Sequence, residues 1–439
     1  MLRKLKRSAI GANVPHEKVT ATMKAVALPL PELVRIPMSM HIGAPATPIV
    51  KKGDEVFVGT LIGEASGFVS ANIHASVSGT VSAVEAYLMP NGKETKIVAI
   101  KPDGAQTVDP SVGIPNVTDK QSFLDAVLAS GIVGLGGAGF PTHVKLQPKA
   151  KVDTLLINAS ECEVLVSSDT REMLDWSDTL LSGIEAVMKY CEIPSCVIGI
   201  ERNKPECIDL LCSLTTGMKN VTVKPLPCVY GTGAELILIE KCLGREVPHG
   251  KLPADVGAIV LNVSTASSIG KYLATGMPLV ERRVTVDGDV VAKPGNFMAP
   301  VGAPTQMLVD AVGLINDAVL GKVVAGGAMM GPAIPDLSAP LTKTSVCLSL
   351  YGEKLAVLPE AAPCIRCGRC IDYCPLGLEP VNVAAAFEAK DVTALGKLHA
   401  DYCFNCGSCS FICPAKRPVT QMMGLAKEYY MNQTKGGAK

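Results

Sequence analysis

The sequence predicts a multidomain chain of mixed α/β and α+β class, with four modules behind an N-terminal arm. Three observations predict it. Short strands between glycines fill residues 34–84, strands alternate with helices over 121–265, and two four-cysteine runs separated by helical segments occupy the C-terminal part. At 439 residues the chain has room for three or four domains of about 100–150 residues. The expected divisions are an arm at 1–30, an all-β module at 31–105, an α/β module at 119–266, a second β-rich module at 267–345 and a cysteine-rich module at 355–425.

Bulk properties exclude several function classes. Lys+Arg and Asp+Glu both number 41, so no net positive charge points to nucleic acid. No apolar run reaches the ~18 residues of a membrane span, and the basic start Met1-Leu2-Arg3-Lys4 lacks the apolar stretch of a signal peptide. Sixteen cysteines without an export signal imply a reducing cytoplasm. Eight of them (Cys162, Cys191, Cys196, Cys207, Cys212, Cys228, Cys242, Cys347) are scattered and read mostly as small buried hydrophobes.

The other eight form two runs. Cys364, Cys367, Cys370 and Cys374 precede Pro375; Cys403, Cys406, Cys409 and Cys413 precede Pro414. Both are C-x2-C-x2-C-x3-C-P, the spacing of two-cluster ferredoxins, in which the fourth cysteine ligates the other cluster. The predicted sets are Cys364, Cys367, Cys370 and Cys413 for one [4Fe–4S], and Cys403, Cys406, Cys409 and Cys374 for the second. The fourth cysteine is expected to start a helix leading away. Zinc favours four ligands from paired C-x2-C units, and the spacing is too tight for a disulfide framework.

In the first β module, turn signals recur at Lys52-Gly53-Asp54, Ser66-Gly67 and Pro90-Asn91-Gly92, with strands expected at 49–50 and 69–71 among others. The phrase V-K-K-G-D-E-V-F-V-G-T-L-I-G-E, then I-H-A-S-V-S-G-T-V, resembles a biotinyl/lipoyl-type barrel-sandwich. Its hairpin stretch, 65–75, has no lysine to carry a covalent arm. His41 and His74 read as satisfied interior residues rather than ligands.

After a helix predicted at 121–129 comes Gly131 to Lys145, containing Gly134, Gly136, Gly137 and Gly139. Formally it holds G-x-G-x-x-G. Phe140-Pro141-Thr142 interrupts the helix a Rossmann fingerprint needs. Clustered glycines still let backbone N–H groups approach a phosphate, and Lys145 can add charge. Strands are expected at 154–158, 196–200, 221–223 and 258–265, with one helix over 171–191. Residues 284–291 read as a hairpin with an Asp-Gly turn. Two helices at 380–389 and 391–400 separate the cysteine runs.

G-x-G-G-A-G-F-P-T-x-x-K, N-A-x-E-C-E, Y-G-x-G-A-E and L-N-V-x-T together resemble the FMN/NADH-binding domain of the flavin subunit of respiratory complex I. Residues 267–345 resemble the β-grasp SLBB module. The whole order, from about 36 to 430, resembles the RnfC family, the NADH-side subunits of ion-translocating ferredoxin:NAD oxidoreductases. The resemblance implies that Gly134, Gly136, Gly137 and Lys145 hold the FMN phosphate, with Asn262 near that end. It implies that Asn158, Ser160 and Gly233 line the ring and ribityl groups and that Tyr230 flanks the flavin. Phe140 would stack on the nicotinamide nucleotide, Glu163 and Glu235 would bind its riboses, and Glu161 is counted with them among the cofactor-binding residues. The family departs from this chain at Val164, where a Pro is usual, and in the N-terminal segment, here Gly11-Ala12-Asn13-Val14-Pro15-His16.

The implied activity is electron transfer between NAD(H), FMN and two [4Fe–4S] clusters, with the flavin carrying the hydride chemistry. The implied partners are other subunits of a membrane complex, including an iron–sulfur, ferredoxin-side subunit, and the expected place is peripheral, on the cytoplasmic face of the membrane. The alternative is a soluble PduS-type cobalamin reductase of bacterial microcompartments. That family carries the glycine motif close to its N-terminus, whereas here about 130 residues precede it. A third reading is a non-catalytic relay with a decayed flavin site. No nucleophile–base triad or Walker sequence supports hydrolase or kinase chemistry.

Overall fold

A computed structural model describes residues 11–435 except Asn91 and Asp317. The basic start of the chain and the centre of the Pro90-Asn91-Gly92 turn lie outside these residues. From Gly11 the arm runs across two modules. Ala12 O accepts from Tyr230 N at 3.0 Å, and Ala12, Val14 and Tyr230 bury one another. Further on, Ala25–Ala27 adds a parallel strand beside Gly295–Pro300. Asn296 Nδ2 donates to Thr20 O (2.8 Å) and Met23 O (2.9 Å), fixing the arm to that sheet.

The first β module contains two sheets. One orders Val34–Pro37, Glu94–Pro102, Gly79–Leu88 and Glu55–Val56; the other orders Thr47–Pro48, Leu61–Glu64 and Ile73–His74. Inward residues, including Val34, Ile36, Ile62, Ile73, Val81 and Ile100, form its core. Residues 69–71 are not a strand. Side chains take the bonds a ladder would use: Ala71 N donates to His41 Nε2 at 2.9 Å and Ser70 Oγ donates to Ala44 O at 2.9 Å. The expected strand at 49–50 lies two residues earlier, at Thr47–Pro48.

The α/β module holds a parallel sheet ordered Val221–Leu226, Ser195–Glu201, Thr154–Ala159, Ala258–Asn262. Successive strands are added on one side of Thr154–Ala159 and then, with Ala258–Asn262, on its other side, all parallel. Ligands gather outside the carboxyl ends of strands at such a switch point. The single helix expected over 171–191 is two, Ser168–Asp175 and Ser177–Tyr190. The break is at Trp176, whose ring lies under the Arg283 guanidinium (4.3 Å) and the Lys271 ammonium (4.9 Å). Trp176 itself has φ −133° and ψ 38°, outside helical geometry, and its ring makes those two cation–π contacts.

The second β-rich module is a five-stranded mixed sheet ordered Ala25–Ala27, Gly295–Pro300, Glu281–Gly288, Cys347–Gly352, Leu320–Ala325, with the helix Thr305–Val312 packed on it. The hairpin exists, but its connection is 289–294 rather than a two-residue Asp-Gly turn. Asp289 Oδ1 accepts from Gly352 N at 3.1 Å and holds the longer loop to the neighbouring strand.

The C-terminal module consists of helices among the described residues. Pro380–Glu388, Val392–Lys397 and Val419–Lys435 pack around Val383, Leu395, Met423 and Ala426. The second inter-run helix begins after Asp391, whose carboxylate caps Ala394 N at 2.9 Å, and stops at Lys397 because His399 takes positive φ. The fourth cysteine of each run does not start a helix. The third lies in a single turn, Arg369–Asp372 or Ser408–Phe411, and the fourth follows it. Among the scattered cysteines, Cys196, Cys207, Cys242 and Cys347 are buried, Cys162, Cys191 and Cys228 half-buried, and Cys212 exposed.

Candidate flavin, nucleotide and cluster site

At the switch point the structure opens a cavity of about 580 Å3. It is walled by the glycine loop, the carboxyl ends of Thr154–Ala159 and Ala258–Asn262, residues of the second β module, and Cys406. All thirteen positions singled out by motif line it: Gly134, Gly136, Gly137, Phe140, Lys145, Asn158, Ser160, Glu161, Glu163, Tyr230, Gly233, Glu235 and Asn262.

The glycine loop closes on itself through Gly134 N to Phe140 O at 2.8 Å. It is anchored to the helix Val263–Thr275 by Leu135 N donating to Thr265 Oγ1 at 3.0 Å. Asn262 caps that helix by accepting from Ser264 N at 2.8 Å, and its side chain lies where a Cβ on Gly136 would be, 2.5 Å away. The loop therefore sits over a helix N-terminus, where backbone amides and the dipole favour an anion. A Cβ on Gly137 would meet nothing within 4 Å, so that backbone faces open cavity. Thr142 Oγ1 and Ser168 Oγ line the same space, buried and without a hydrogen-bond partner. Buried hydroxyls left unpaired are costly, and a polar ligand would satisfy them.

The acidic residues occupy three different settings. Glu235 Oε1 accepts from Lys145 Nζ at 2.6 Å, a half-exposed pair at the cavity edge. Glu163 is deeper: Tyr230 OH donates to Oε1 at 3.1 Å and Met329 N to Oε2 at 3.1 Å. Burial, partly offset by those bonds, raises its carboxyl above the usual range. Glu161 accepts from Asp169 N (2.7 Å) and Thr170 Oγ1 (2.7 Å) at the start of Ser168–Asp175, with Lys18 Nζ 3.8 Å away. Its carboxylate is thus engaged in a helix end and in pinning the arm. Asn158 Nδ2 donates to Gly233 O at 2.8 Å and its Oδ1 accepts from Ser160 N at 3.0 Å, which joins two of the motifs.

The cysteines fall into two groups. Cys374 lies within electrostatic reach of Cys403 and Cys406, and Cys409 senses all three. Cys370 senses Cys364 and Cys367. Burial pushes the Cys409 thiol up to about 12 and Cys374 to about 11. Cys364 and Cys367 are exposed. All eight thiols are free; a [4Fe–4S] cube takes four cysteine sulfurs, and these neighbours account for Cys374, Cys403, Cys406 and Cys409 on one side and Cys364, Cys367 and Cys370 on the other, with Cys413 half-buried beyond the turn Ser408–Phe411.

His41 and His74 are buried, and burial together with the charge of Lys343 holds their rings neutral, near 4 and 3. Lys343 itself is sealed among three modules, donating to Gly131 O at 2.7 Å. Sequence reasoning missed Lys343, Lys18, Asp169, Tyr402 and Phe404. The last two line the cavity from the cluster module. Only the position of Phe404 inside the second C-x2-C could have signalled it.

Comparison with known proteins agrees with this organisation. The RnfC Barrel sandwich hybrid domain matches residues 6–105, the Nuo51 FMN-binding domain 127–271, and the 4Fe-4S dicluster domain 363–416. The chain is 41% identical over 359 residues, 81% of each chain, to a subunit of the Na(+)-translocating ferredoxin:NAD(+) oxidoreductase complex of Acetobacterium woodii. It is 39% identical to a subunit of the proton-translocating ferredoxin:NAD(+) oxidoreductase complex of Clostridium ljungdahlii, covering 83% of this chain and 80% of that one. Identity to a subunit of the ion-translocating oxidoreductase complex of Rhodobacter capsulatus is 36%, covering 87% and 75%. A chain of an NAD+-reducing [NiFe]-hydrogenase in the H2-reduced state shares the fold at 18% identity and TM-score 0.50, covering 71% of this chain and 63% of that one.

Proposed function

This chain belongs to the RnfC family, whose members are subunits of ion-translocating ferredoxin:NAD(+) oxidoreductases, and from that premise we propose how its own residues serve NADH-linked electron transfer. It is an oxidoreductase subunit with an FMN domain and a two-[4Fe–4S] domain. The matched barrel-sandwich segment, 6–105, favours this reading over the microcompartment cobalamin reductase.

Bound FMN supplies the conversion of a hydride, two electrons together, into single electrons that a cube accepts. In the proposed arrangement the amides of Gly134, Gly136 and Gly137 and the Lys145 ammonium hold its phosphate, with Asn262 fixing the loop beneath. Asn158, Ser160, Gly233 and Tyr230 position the ring. Phe140 covers the nicotinamide nucleotide, and Glu163 and Glu235 accept from its ribose hydroxyls. Glu161 holds the wall rather than the ligand. Cys374, Cys403, Cys406 and Cys409 hold the cluster nearer the flavin, and Cys364, Cys367, Cys370 and Cys413 the farther one.

The single observation that carries this reading is that one cavity unites the glycine loop, the acids and Cys406. Among the described residues no helix is long and apolar enough to cross a membrane, and the family's complexes are ion-translocating. We place the chain peripherally, on the cytoplasmic face. The test is anaerobic reconstitution with FMN, iron and sulfide, followed by NADH-dependent reduction of a dye. A reconstituted wild type that oxidises no NADH with any acceptor ends the reading.

A further inference from the structure

The two cysteine loops have one backbone shape and opposite surroundings. Arg366 and Asn405 share a φ of 55°, Gly368 and Gly407 follow at 77° and 87°, and the N–H of Arg366 and of Asn405 each donates to the sulfur two residues earlier at 3.4 Å. In the second loop this shape is covered by protein. Phe404 lines the flavin cavity, and a Cβ on Gly407 would meet Met329 O at 2.6 Å. In the first loop the equivalent Ile365 is 66% exposed, and a Cβ on Gly368 would meet nothing within 4 Å. Phe411, two residues before Cys413, is 45% exposed on the neighbouring turn.

The side chains differ in charge as well. Where the covered loop has Asn405 and Ser408, the bare loop has exposed Arg366 and Arg369, with exposed Lys416 just beyond Pro414. None of the three forms an ion pair among the described residues. Asp372, exposed, ends the same turn as Arg369. Apolar residues set among unpaired cations at a redox centre suit a partner with an apolar contact and an acidic rim. A lipid surface would meet the charge but offers no redox centre to exchange an electron with.

We propose that the face around Ile365, Arg366, Arg369, Phe411 and Lys416 is the docking site for an acidic protein domain carrying its own redox centre. It would cover the first loop as Phe404 and Met329 mark the cover of the second. One electron crosses this contact at a time, oxidising one centre and reducing the other, with no bond made or broken. The inference rests on the function proposed above, which makes this chain an electron donor or acceptor within a complex.

The experiment is rebinding of purified, cluster-loaded protein to salt-washed membranes that retain the other subunits. Wild type should bind, and less well as salt rises. Arg366→Glu/Arg369→Glu should weaken binding about tenfold or more, the size of effect charge complementarity exerts on encounter, and Ile365→Asn should weaken it at all salt concentrations. Arg366→Lys/Arg369→Lys should restore binding, with flavin content, iron content and NADH–dye activity unchanged in every variant. Wild-type-like binding by the charge-reversed protein overturns the proposal. So does equal wild-type binding to membranes lacking the other subunits, or to phosphatidylglycerol–phosphatidylcholine vesicles. Failure of NADH–dye activity in the wild type would instead remove the proposed function, and the binding assay would still judge the surface.

Discussion

The two cysteine runs share their spacing and their loop conformation, yet one is built into the molecule and the other lies at its edge. Cys409 is buried and Cys406 lines the flavin cavity, while Cys364 and Cys367 face solvent. Spacing fixes which irons a thiolate can reach. What packs against the loop fixes the order in which electrons meet the clusters. In the arrangement proposed above, a covered near run and a bare distal run make a path between the cavity and the surface.

The largest expected effect tests the crossing of the fourth ligands. Cys374→Ala should lower iron from about eight to about four per chain and stop NADH from reducing either cluster, because the near one is lost. Cys364→Ala should lower iron equally but leave the near cluster reducible. Anaerobic iron analysis with electron paramagnetic resonance reads both. Cys374→Ala disturbing only the Cys364 group would break the assignment.

Next in size are the cavity-edge residues. Losing one charge-assisted hydrogen bond costs roughly 1.5–3 kcal/mol, or about 10–150-fold in affinity. Glu235→Ala should raise the apparent NADH constant by that factor with FMN retained, and Lys145→Ala should loosen FMN. Since the two side chains pair at 2.6 Å, each mutation also frees its partner, and the double mutant should lose less than the sum. Full flavin and full activity in both single mutants would show that these side chains hold neither ligand.

The comparison also shows what a sequence can carry. The cysteine spacing is local, so the two runs and their two-cluster domain were legible. The glycine loop, the N-A-x-E-C-E stretch and Asn262 were legible because each motif is contiguous, although the cavity that unites them is tertiary. Which run lies nearer the flavin was not legible, since it depends on Gly407 packing against Met329, 78 positions apart by numbering. At the Trp176 break the ring meets Arg283, more than a hundred positions on, and Lys343 is sealed by carbonyls of Asn72 and Gly131. Residues 69–71 misled because the side chains of His41 and Ser70 replaced the ladder bonds that the apolar pattern implied.

A smaller effect separates the two runs by pH. Glu163 is buried beside Tyr230, near Cys406, and titrates above the usual 4.5 mainly through burial. Above pH 4.5 the folded protein therefore holds a proton that the unfolded chain releases. The stability this provides is full below about 4.5 and is lost as pH rises through the folded value. In Glu163→Gln that loss disappears. The difference in denaturation midpoint, mutant minus wild type, should grow with pH above 4.5 and then level. A difference that stays flat across the range would mean the carboxyl is not perturbed.

The smallest effect concerns the matched pair Ile365 and Phe404. Ile365 is 66% exposed, so Ile365→Ser removes little apolar surface from the folded interior, and stability should stay within about 0.5 kcal/mol of wild type. Phe404 is half-buried against the flavin cavity. Its truncation to Ser should cost about 1–2 kcal/mol at ~25 cal/mol per Å2 of apolar surface returned to water. Denaturant titration of the cluster-loaded protein measures both, and adding FMN should widen the gap, because a ligand that binds only the folded cavity stabilises it by mass action. Equal losses above 1 kcal/mol would show that the first loop is already covered within this chain. Its bare face would then not await a partner, and the asymmetry between the runs would reduce to their ligands alone.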